Sequence, residues 1–550
     1  MVVEGYGLPH YIRTVELRHR LIGYQHDKCG EIFFSSKKYN LCPRCGKEGK
    51  IEKISLVREG VIESISINRD KKKENWIGNR AVGIVRINID GKKVRVPTEF
   101  SDIVIPNETP FFSSKWINHR VEPTARILDH NPEGAIYYGI KFRPVLINKK
   151  VQIPFLTKLV KSKRPGISSI GISLPRYRTT AEEIARAFQL DPNYIKKGLG
   201  VEEVTVPAWD QDTGTFAIDA ALDAITRLPP EFIKTIGMIV VGSESKPYSV
   251  KPTATNIQSF LGIDEDIICY DAEFACIAAG MQIKSAIALI KSGEIESALI
   301  IGADVSQGKP GDPLDLDTGA GGACFVISKY NVILEYIGMN FHVGDHPDFA
   351  RRAGCPYPFH GYGLTGKPSY FAFQENAIEK TLIKYNIHPD RLKAATFHQP
   401  NHNFLRKEVK KLGLDIESRI KKELMPCIIG DPVKKIGNTY SAATMLGLAA
   451  IVNEPRHYFK IDELTAQKLG FPDPKKPSLT LEAGDIVLAG WYGSGAAGGC
   501  VLFEVTENYQ KYISCTIPFS HRLTKSDVIG GKKYVSLVTR YFHKGMIKNQ

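Results

Sequence analysis

Between residues 51 and 150, apolar and polar positions alternate in short runs: GVIESISI, AVGIVRINID, KKVRVPTEF and AIYYGIKFRPVL. A period of two marks half-buried strands, and the intervening glycines, prolines and asparagines mark turns. The stretch therefore predicts a small all-β barrel. Ahead of it, LPHYIRTVELRHRLIGYQ predicts a helix within residues 1–50. Behind it, VQIPFLTKLVKSKRPG reads as a basic linker over 151–166. From Gly166 the texture changes. IGMIVVGSES, SALIIGAD, LKAATFHQPNHN and AGDIVLAGWYGSG are buried strands that run into polar loops, interleaved with helical stretches. One such helix follows Cys276 and stops at Gly293.

An internal repeat divides this second region. ALIIGAD, followed after an insertion by GAGGACFVISKY, parallels DIVLAGWY followed by GSGAAGGCVLFEVTEN. Two halves that each end in strand, glycine cluster and strand predict a duplicated α/β unit, with halves at 167–330 and 331–550. Gly493, Gly495 and Gly498 match G-x-G-x-x-G, but CVLFEV after them is a strand where a dinucleotide site needs a helix. These glycines are expected to let backbones approach closely beside a site.

Composition narrows the class. With 550 residues, 43% hydrophobic and 24% charged, the chain has the profile of an ordinary globular protein of several domains. No apolar run reaches the roughly 18 residues of a membrane span, and the first twenty residues lack a signal-peptide core. A cytoplasmic protein with no membrane partner is expected. A net charge of +14 fits either an anionic partner or a lysine-rich solvated surface. No aromatic-rich basic motif accompanies it, so nucleic acid is not an expected partner.

Ten cysteines in 550 residues are too dilute for a disulfide framework. Four residues near the start have metal-site spacing instead. Cys42 and Cys45 form C-x-x-C, and His26 precedes Cys29 with the same gap. Gly30 and Gly46 follow the two pairs and free the turns. A His/Cys3 set of this kind predicts one structural zinc, because a closed four-ligand shell leaves no position for catalysis.

In a duplicated α/β domain, reactive groups lie in loops leaving the strand ends. Three such loops carry suitable chemistry. Cys276 stands at a helix start, where the helix terminus lowers a thiol's pKa, although a lone cysteine there is more often just a small buried hydrophobe. Glu244 ends one strand and His398 another. A thiolate accepts an acyl group, a carboxylate abstracts a proton, and an imidazole shuttles one. Asn438 and Ser494 offer hydrogen bonds to a polarised carbonyl.

VGSESKPYSVKPTAT, DAEFACIAAG, GADVSQGKPGD, PYPFHGYGLTGKPSYF, FHQPN, GNTYSAATMLGLAA and YGSGAAG follow one another in order. Together they closely resemble archaeal 3-hydroxy-3-methylglutaryl-CoA synthases of the thiolase superfamily, over about residues 167–505. The first 150 residues resemble the zinc-ribbon and OB-fold accessory proteins that partner archaeal thiolase and synthase, here fused in front. The resemblance implies a thiolase-like αβαβα core behind a zinc ribbon and an OB-fold barrel. It implies Cys276 as acetyl acceptor, Glu244 as general base and His398 as acid partner, with acetyl-CoA and acetoacetyl-CoA as substrates. Asn438, Ser494 and Thr365 match substrate-contacting positions. No redox cofactor is implied. An acetoacetyl-CoA thiolase and a second copy of the chain are the implied protein partners.

The chain departs from the family pattern at three expected cations, where Ile277, Gly363 and Asn403 stand instead. Arg406, Lys407 or the basic N-terminal part are the alternatives for meeting CoA phosphates. Two other readings stay open: a Claisen-type acyltransferase with another acceptor, and a catalytically weak acyl-CoA-binding scaffold.

Overall fold

The computed structural model describes residues 15–34, 41–68, 80–103, 114–130, 135–145, 154–361, 364–524 and 527–546. The chain forms two compact units. The first holds residues 1–148 with two later excursions, Ala208–Gln211 and Ser259–Gly262; the second holds the rest.

In the first unit, residues 15–20 are helical. Leu21 then takes a positive φ of 46° and the chain turns into β1 (Ile22–His26). The helix expected from LPHYIRTVELRHRLIGYQ is therefore cut short, since a left-handed residue cannot continue it. Its first residues, and the chain before residue 15, lie outside the described residues. Strand β1 pairs antiparallel with β2 (Ile32–Phe33) and β3 (Ile51–Ser55). Five further strands close a barrel in the order β4-β5-β6-β8-β7. They are β4 (Gly60–Asn68), β5 (Arg80–Ile89), β6 (Lys92–Phe100), β7 (Arg120–His130) and β8 (Ile136–Pro144). The alternation read from the sequence points Ile62, Val85, Ile87, Val94, Val96 and Phe142 inward, and the strand not read there, β7, adds Val121. The barrel also buries Arg126 and Lys141. Arg126 pairs with Asp102 at 3.1 Å, and Lys141 pairs with Glu99 at 3.1 Å and Asp210 at 3.0 Å. Charges this deep persist only when paired.

The second unit is organised by a ten-stranded sheet. Its strands are β9 (Lys161–Ser173), β10 (Ile236–Gly242), β11 (Ile268–Ala272), β12 (Ser297–Val305), β13 (Ala320–Tyr330), β14 (Leu334–His346), β15 (Leu392–Thr396), β16 (Ile428–Ile429), β17 (Ile486–Gly493) and β18 (Gly495–Val505). The order is β11-β10-β12-β13-β9-β14-β18-β17-β15-β16. Numbering each half from its own first strand gives 3-2-4-5-1 followed by its mirror, 1-5-4-2-3. The repeat seen in the sequence is thus the fourth and fifth strand of each half. The halves meet where Leu334 and Glu335 pair with Ile167 and Gly166. A side chain at Gly166 would overlap the Leu334 carbonyl, so only glycine permits this seam. The polar segment expected as a linker is consequently strand from Lys161 onward, because pairing with β13 and β14 outweighs its local character.

Equivalent helices follow equivalent strands: α1 (Thr213–Ile225) and α3 (Ala372–Lys384) after the first, α2 (Ala278–Ser292) and α5 (Ala443–Val452) after the third. Helix α5 is buried on nearly every side and packs on strands of both halves, while α1 and α3 cover outer faces. These are the layers of the αβαβα core. Residues 275–292 are long and apolar enough to cross a membrane, but half of that stretch is buried within this core. The helix Gly531–Met546 near the C-terminus packs back on the same unit. Its Tyr534 and Leu537 are buried, and Tyr534 meets Phe188 edge-on.

Candidate active site

Strand β11 ends at Ala272, and Ala275 takes a positive φ of 43° before a short turn, Ala275–Ile277, opens helix α2. This bend directs Cys276 toward the end of β10. There Glu244 stands two residues past Gly242, and the Cys276 thiol donates a hydrogen bond to Glu244 Oε1 at 2.6 Å. A thiol and a carboxylate thirty-two positions apart in sequence are brought together because both belong to the same end of one parallel strand pair.

Asp304, at the end of β12, holds the glutamate loop. Its Oδ1 accepts from Ser243 Oγ at 2.8 Å, from the Glu244 and Ser245 amides at 2.8 and 3.0 Å, and from Ser245 Oγ at 2.7 Å. Its Oδ2 accepts from the Ser441 amide at 2.9 Å. Ser441 lies in the turn Tyr440–Ala442 ahead of α5, the counterpart of the cysteine turn, and Tyr440 has the matching positive φ of 47°. The Ser441 hydroxyl donates to the Ala275 carbonyl at 3.3 Å, closing the two turns on each other.

Burial pushes the Glu244 carboxyl up to about 8, with the Asp304 charge adding to it; the Cys276 bond and Arg351 pull the other way. Burial likewise drives the Cys276 thiol well above the ordinary range, and Glu244 adds to the effect. The lowering expected from the helix start is outweighed by desolvation and an adjacent carboxylate. In this state both groups retain their protons near neutrality, and the site holds no standing thiolate.

His398 occupies the place in the second half that Glu244 occupies in the first, two residues past the end of β15. It is 3% exposed, its Nδ1 has no hydrogen-bond partner among the described residues, and burial depresses its pKa to about 3. The imidazole is therefore neutral. Its backbone carbonyl accepts from the Tyr370 hydroxyl at 2.5 Å, and its ring lies 6.4 Å from that of Tyr492. The geometry thus joins Cys276 and Glu244 directly, while His398 lies beside Tyr492.

Asp348 gathers the remaining groups. It accepts from Tyr492 Oη at 2.6 Å, Ser494 Oγ at 3.1 Å and the Gly495 amide at 3.2 Å, while its carbonyl accepts from Thr365 Oγ1 at 3.3 Å. Ser494 and Thr365 are thereby neighbours on one anchor, and the Asp348 charge reaches the Cys276 thiol. Asn438 Oδ1 accepts from the Tyr440 amide at 3.0 Å, which leaves Nδ2 as its donor group. The close approach expected of the glycines also holds. A side chain at Gly493 would strike Phe274 and Ile277 beside the cysteine, and one at Gly498 would strike Phe373.

Asp304, Asp348, Arg351, Tyr440 and Tyr492 were not singled out by the sequence. An acid ending a wholly buried strand was the available signal for Asp304; Asp348 had none.

Two of the three departures from the family pattern have a structural role. Ile277 is fully buried against Gly493 and Gly499. Asn403 Nδ2 clamps the carbonyls of Lys197 and Gly198 at 2.9 and 2.7 Å. Gly363 lies outside the described residues. Arg406 and Lys407, on α4 (His402–Lys411), line a groove of about 1160 Å³ together with Lys197 and Arg456.

The metal set is in the first unit. His26, Cys29, Cys42 and Cys45 place one ligand atom each within 4.8 Å of all the others. His26 Nδ1 is 3.2 Å from Cys29 Sγ and 3.8 Å from Cys45 Sγ, and the Cys29 and Cys42 sulfurs are 3.5 Å apart. A tetrahedral ion with the usual metal–sulfur and metal–nitrogen lengths separates its ligand atoms by about 3.5–3.8 Å, so the set fits one. Gly30 and Gly46 take positive φ values of 64° and 67°, as the knuckle turns require. All ten cysteines are free, and Cys324, Cys427 and Cys500 are core residues.

A buried cysteine bonded to a carboxylate across the strand ends of a duplicated five-stranded α/β half defines an acyltransferase of the thiolase fold. Solved structures agree on the fold. An HMG-CoA synthase complexed with CoA superposes with a TM-score of 0.55 at 20% identity, over 68% of this chain and 89% of that one. The 3-oxoacyl-[acyl-carrier-protein] synthase III of Aquifex aeolicus gives 0.50 at 18%, over 62% and 99%. The chain belongs to the hydroxymethylglutaryl-CoA synthase family. It is 38% identical over 353 residues to the synthase of Methanopyrus kandleri, covering 64% of this chain and 91% of that relative. It is 40% identical over 346 residues to that of Methanocaldococcus jannaschii, covering 63% and 90%. The match to the Methanosarcina barkeri enzyme is 37% over 387 residues and takes in 99% of that relative but 70% of this chain. This chain therefore carries a sizeable part that the relative lacks. No protein-family model matches the chain.

Proposed function

We propose that the protein condenses acetyl-CoA with acetoacetyl-CoA, and that Cys276, Glu244 and His398 carry the reaction. The 2.6 Å bond between Cys276 and Glu244 is the observation that supports this most directly. Glu244 takes the thiol proton as sulfur attacks the acetyl carbonyl, and CoA leaves with that proton. The carboxylate then removes a proton from the acetyl methyl group. The new carbon nucleophile adds to the ketone of acetoacetyl-CoA, and the resulting alkoxide recovers the proton from Glu244. Water finally hydrolyses the thioester, freeing 3-hydroxy-3-methylglutaryl-CoA and the thiol.

A neutral His398 serves as hydrogen-bond donor to the ketone oxygen, a narrower role than proton donor from an imidazolium. Asn438, Ser494 and Thr365 are assigned to substrate carbonyl and pantetheine contacts. The CoA phosphates are assigned to Arg406, Lys407 and Lys197 along the groove beside α4. His398→Ala is expected to leave acetylation of Cys276 within a few-fold of wild type and to slow condensation by about 10²–10³. Single-turnover measurements of the two half-reactions check this, and equal losses in both would sink the assignment.

We assign one zinc ion to His26, Cys29, Cys42 and Cys45 as a structural centre. We also assign residues 1–50 and 51–150 to a zinc ribbon and an OB-like barrel that dock an acetoacetyl-CoA thiolase. A homodimer through the core is supported by β11, which among the described strands pairs only with β10 and leaves Ile268 40% exposed. Native mass spectrometry is expected to give a dimer carrying two zinc ions, and a heavier complex once thiolase is added. Cys42→Ala is expected to lose the zinc. A zinc-free wild-type chain or a monomer would remove the corresponding assignment.

A further inference from the structure

Arg351 lies three residues past Asp348, just beyond Phe349–Ala350, a two-residue strand paired with Phe359–His360. The side chain is exposed, yet both terminal nitrogens are engaged. Nη2 donates to the Glu244 carbonyl at 2.6 Å, and Nη1 donates to Gln307 Oε1 at 2.9 Å. Gln307 is held in turn, since its carbonyl accepts from the Tyr440 hydroxyl at 2.7 Å. Phe349 packs edge-on against the Tyr440 ring at 6.0 Å. The stretch 348–351 thus runs from Ser494 and Tyr492 at one end to the glutamate loop at the other. An exposed arginine gives up considerable rotamer freedom to hold two fixed acceptors, and its planar fork suits that task where a lysine does not.

We propose that Arg351 is a positioning residue for Glu244: its guanidinium clamps the Glu244 carbonyl against Gln307 and so aims the carboxylate at Cys276 Sγ. The inference rests on the reading of Glu244 as general base. Four charged or titratable groups bear on that carboxyl: Cys276 from the nucleophile turn, Asp304 from β12, Arg351 from the hairpin, and Tyr440, which feels the Glu244 charge. Burial and Asp304 raise the Glu244 pKa, and the Arg351 cation lowers it. Loss of the cation moves it further up, so the base then becomes competent only at higher pH.

The test is quenched-flow acetylation of the full chain by acetyl-CoA between pH 6 and 10, read by intact-protein mass. Arg351→Met is expected to slow acetylation about 10–100-fold near neutrality and to move the acid limb upward, and Arg351→Lys to restore part of both. Two results in a folded, zinc-loaded Arg351→Met protein would overturn the inference: an unchanged rate and limb, or an equal loss at every pH that lysine does not relieve. Glu244→Gln serves as the control. Wild-type acetylation in that variant would remove the base reading itself. A dead Glu244→Gln beside an unaffected Arg351→Met would remove only the role of Arg351.

Discussion

Cys276→Ala is expected to abolish the acetyl adduct on the intact protein and to lower turnover by at least about 10⁴-fold. The wild-type chain mixed with acetyl-CoA should gain one acetyl group and lose it when acetoacetyl-CoA is added, with release of 3-hydroxy-3-methylglutaryl-CoA. The physical reason is that Cys276 is the sulfur that touches the buried Glu244 carboxyl; Cys324, Cys427 and Cys500 lie in the core with their thiols driven up by burial alone or nearly so. The side chain is 7% exposed, so the substitution leaves a small void and the fold should survive it. An adduct that persists in Cys276→Ala would place the acyl group on another residue. A folded wild-type protein that forms no adduct would instead favour a different acyl donor, or the acyl-CoA-binding scaffold.

Glu244→Gln is expected to cost about 10²–10⁴ in turnover and, at the same time, to stabilise the protein above neutrality. The two effects share a cause. The carboxyl has a folded-state pKa of about 8, against an ordinary value of 4.5. Below pH 4.5 it is protonated in both folded and unfolded chains and contributes no pH dependence. Between 4.5 and 8 the unfolded chain releases the proton while the folded chain keeps it, so stability falls as pH rises. Above 8 the full penalty of the buried charge is present. Glutamine keeps an acceptor for the Cys276 thiol and removes the charge. The gain should therefore be absent at pH 4 and reach on the order of 1–3 kcal/mol by pH 8, allowing for partial solvent access. Thermal unfolding of both proteins across that range measures it. In the wild-type enzyme, acetylation should rise with pH through about 8, because the pair must lose a proton before sulfur attacks. A stability difference of the same size at pH 4 and pH 8 would mean that Glu244 carries an ordinary pKa.

Much of the molecule was legible in one dimension because its signals are local. Period-two alternation is imposed by the pleat, so four of the five barrel strands could be read from the sequence, and Arg120–His130 was not. The repeat of strand, glycine cluster and strand announced two equivalent halves. Two knuckle pairs, each closed by glycine, announced a four-ligand set; Glu244 and His398 were found at the ends of apolar strands, and Cys276 at a helix start. What stayed hidden depends on which strand ends share one edge of the sheet. Lys161–Ser173 became a strand because two distant strands pair with it across Gly166, and Leu21 ended a helix whose polar pattern continues past it. Asp348 looks like any loop acid in sequence; it and the strand-end Asp304 matter because folding surrounds each with donors from segments far away in the chain. The sign of the Cys276 shift was likewise a tertiary result. A helix start lowers a thiol's pKa, but burial beside Glu244 raises it by more, and that proximity exists only once the ends of β10 and β11 lie side by side.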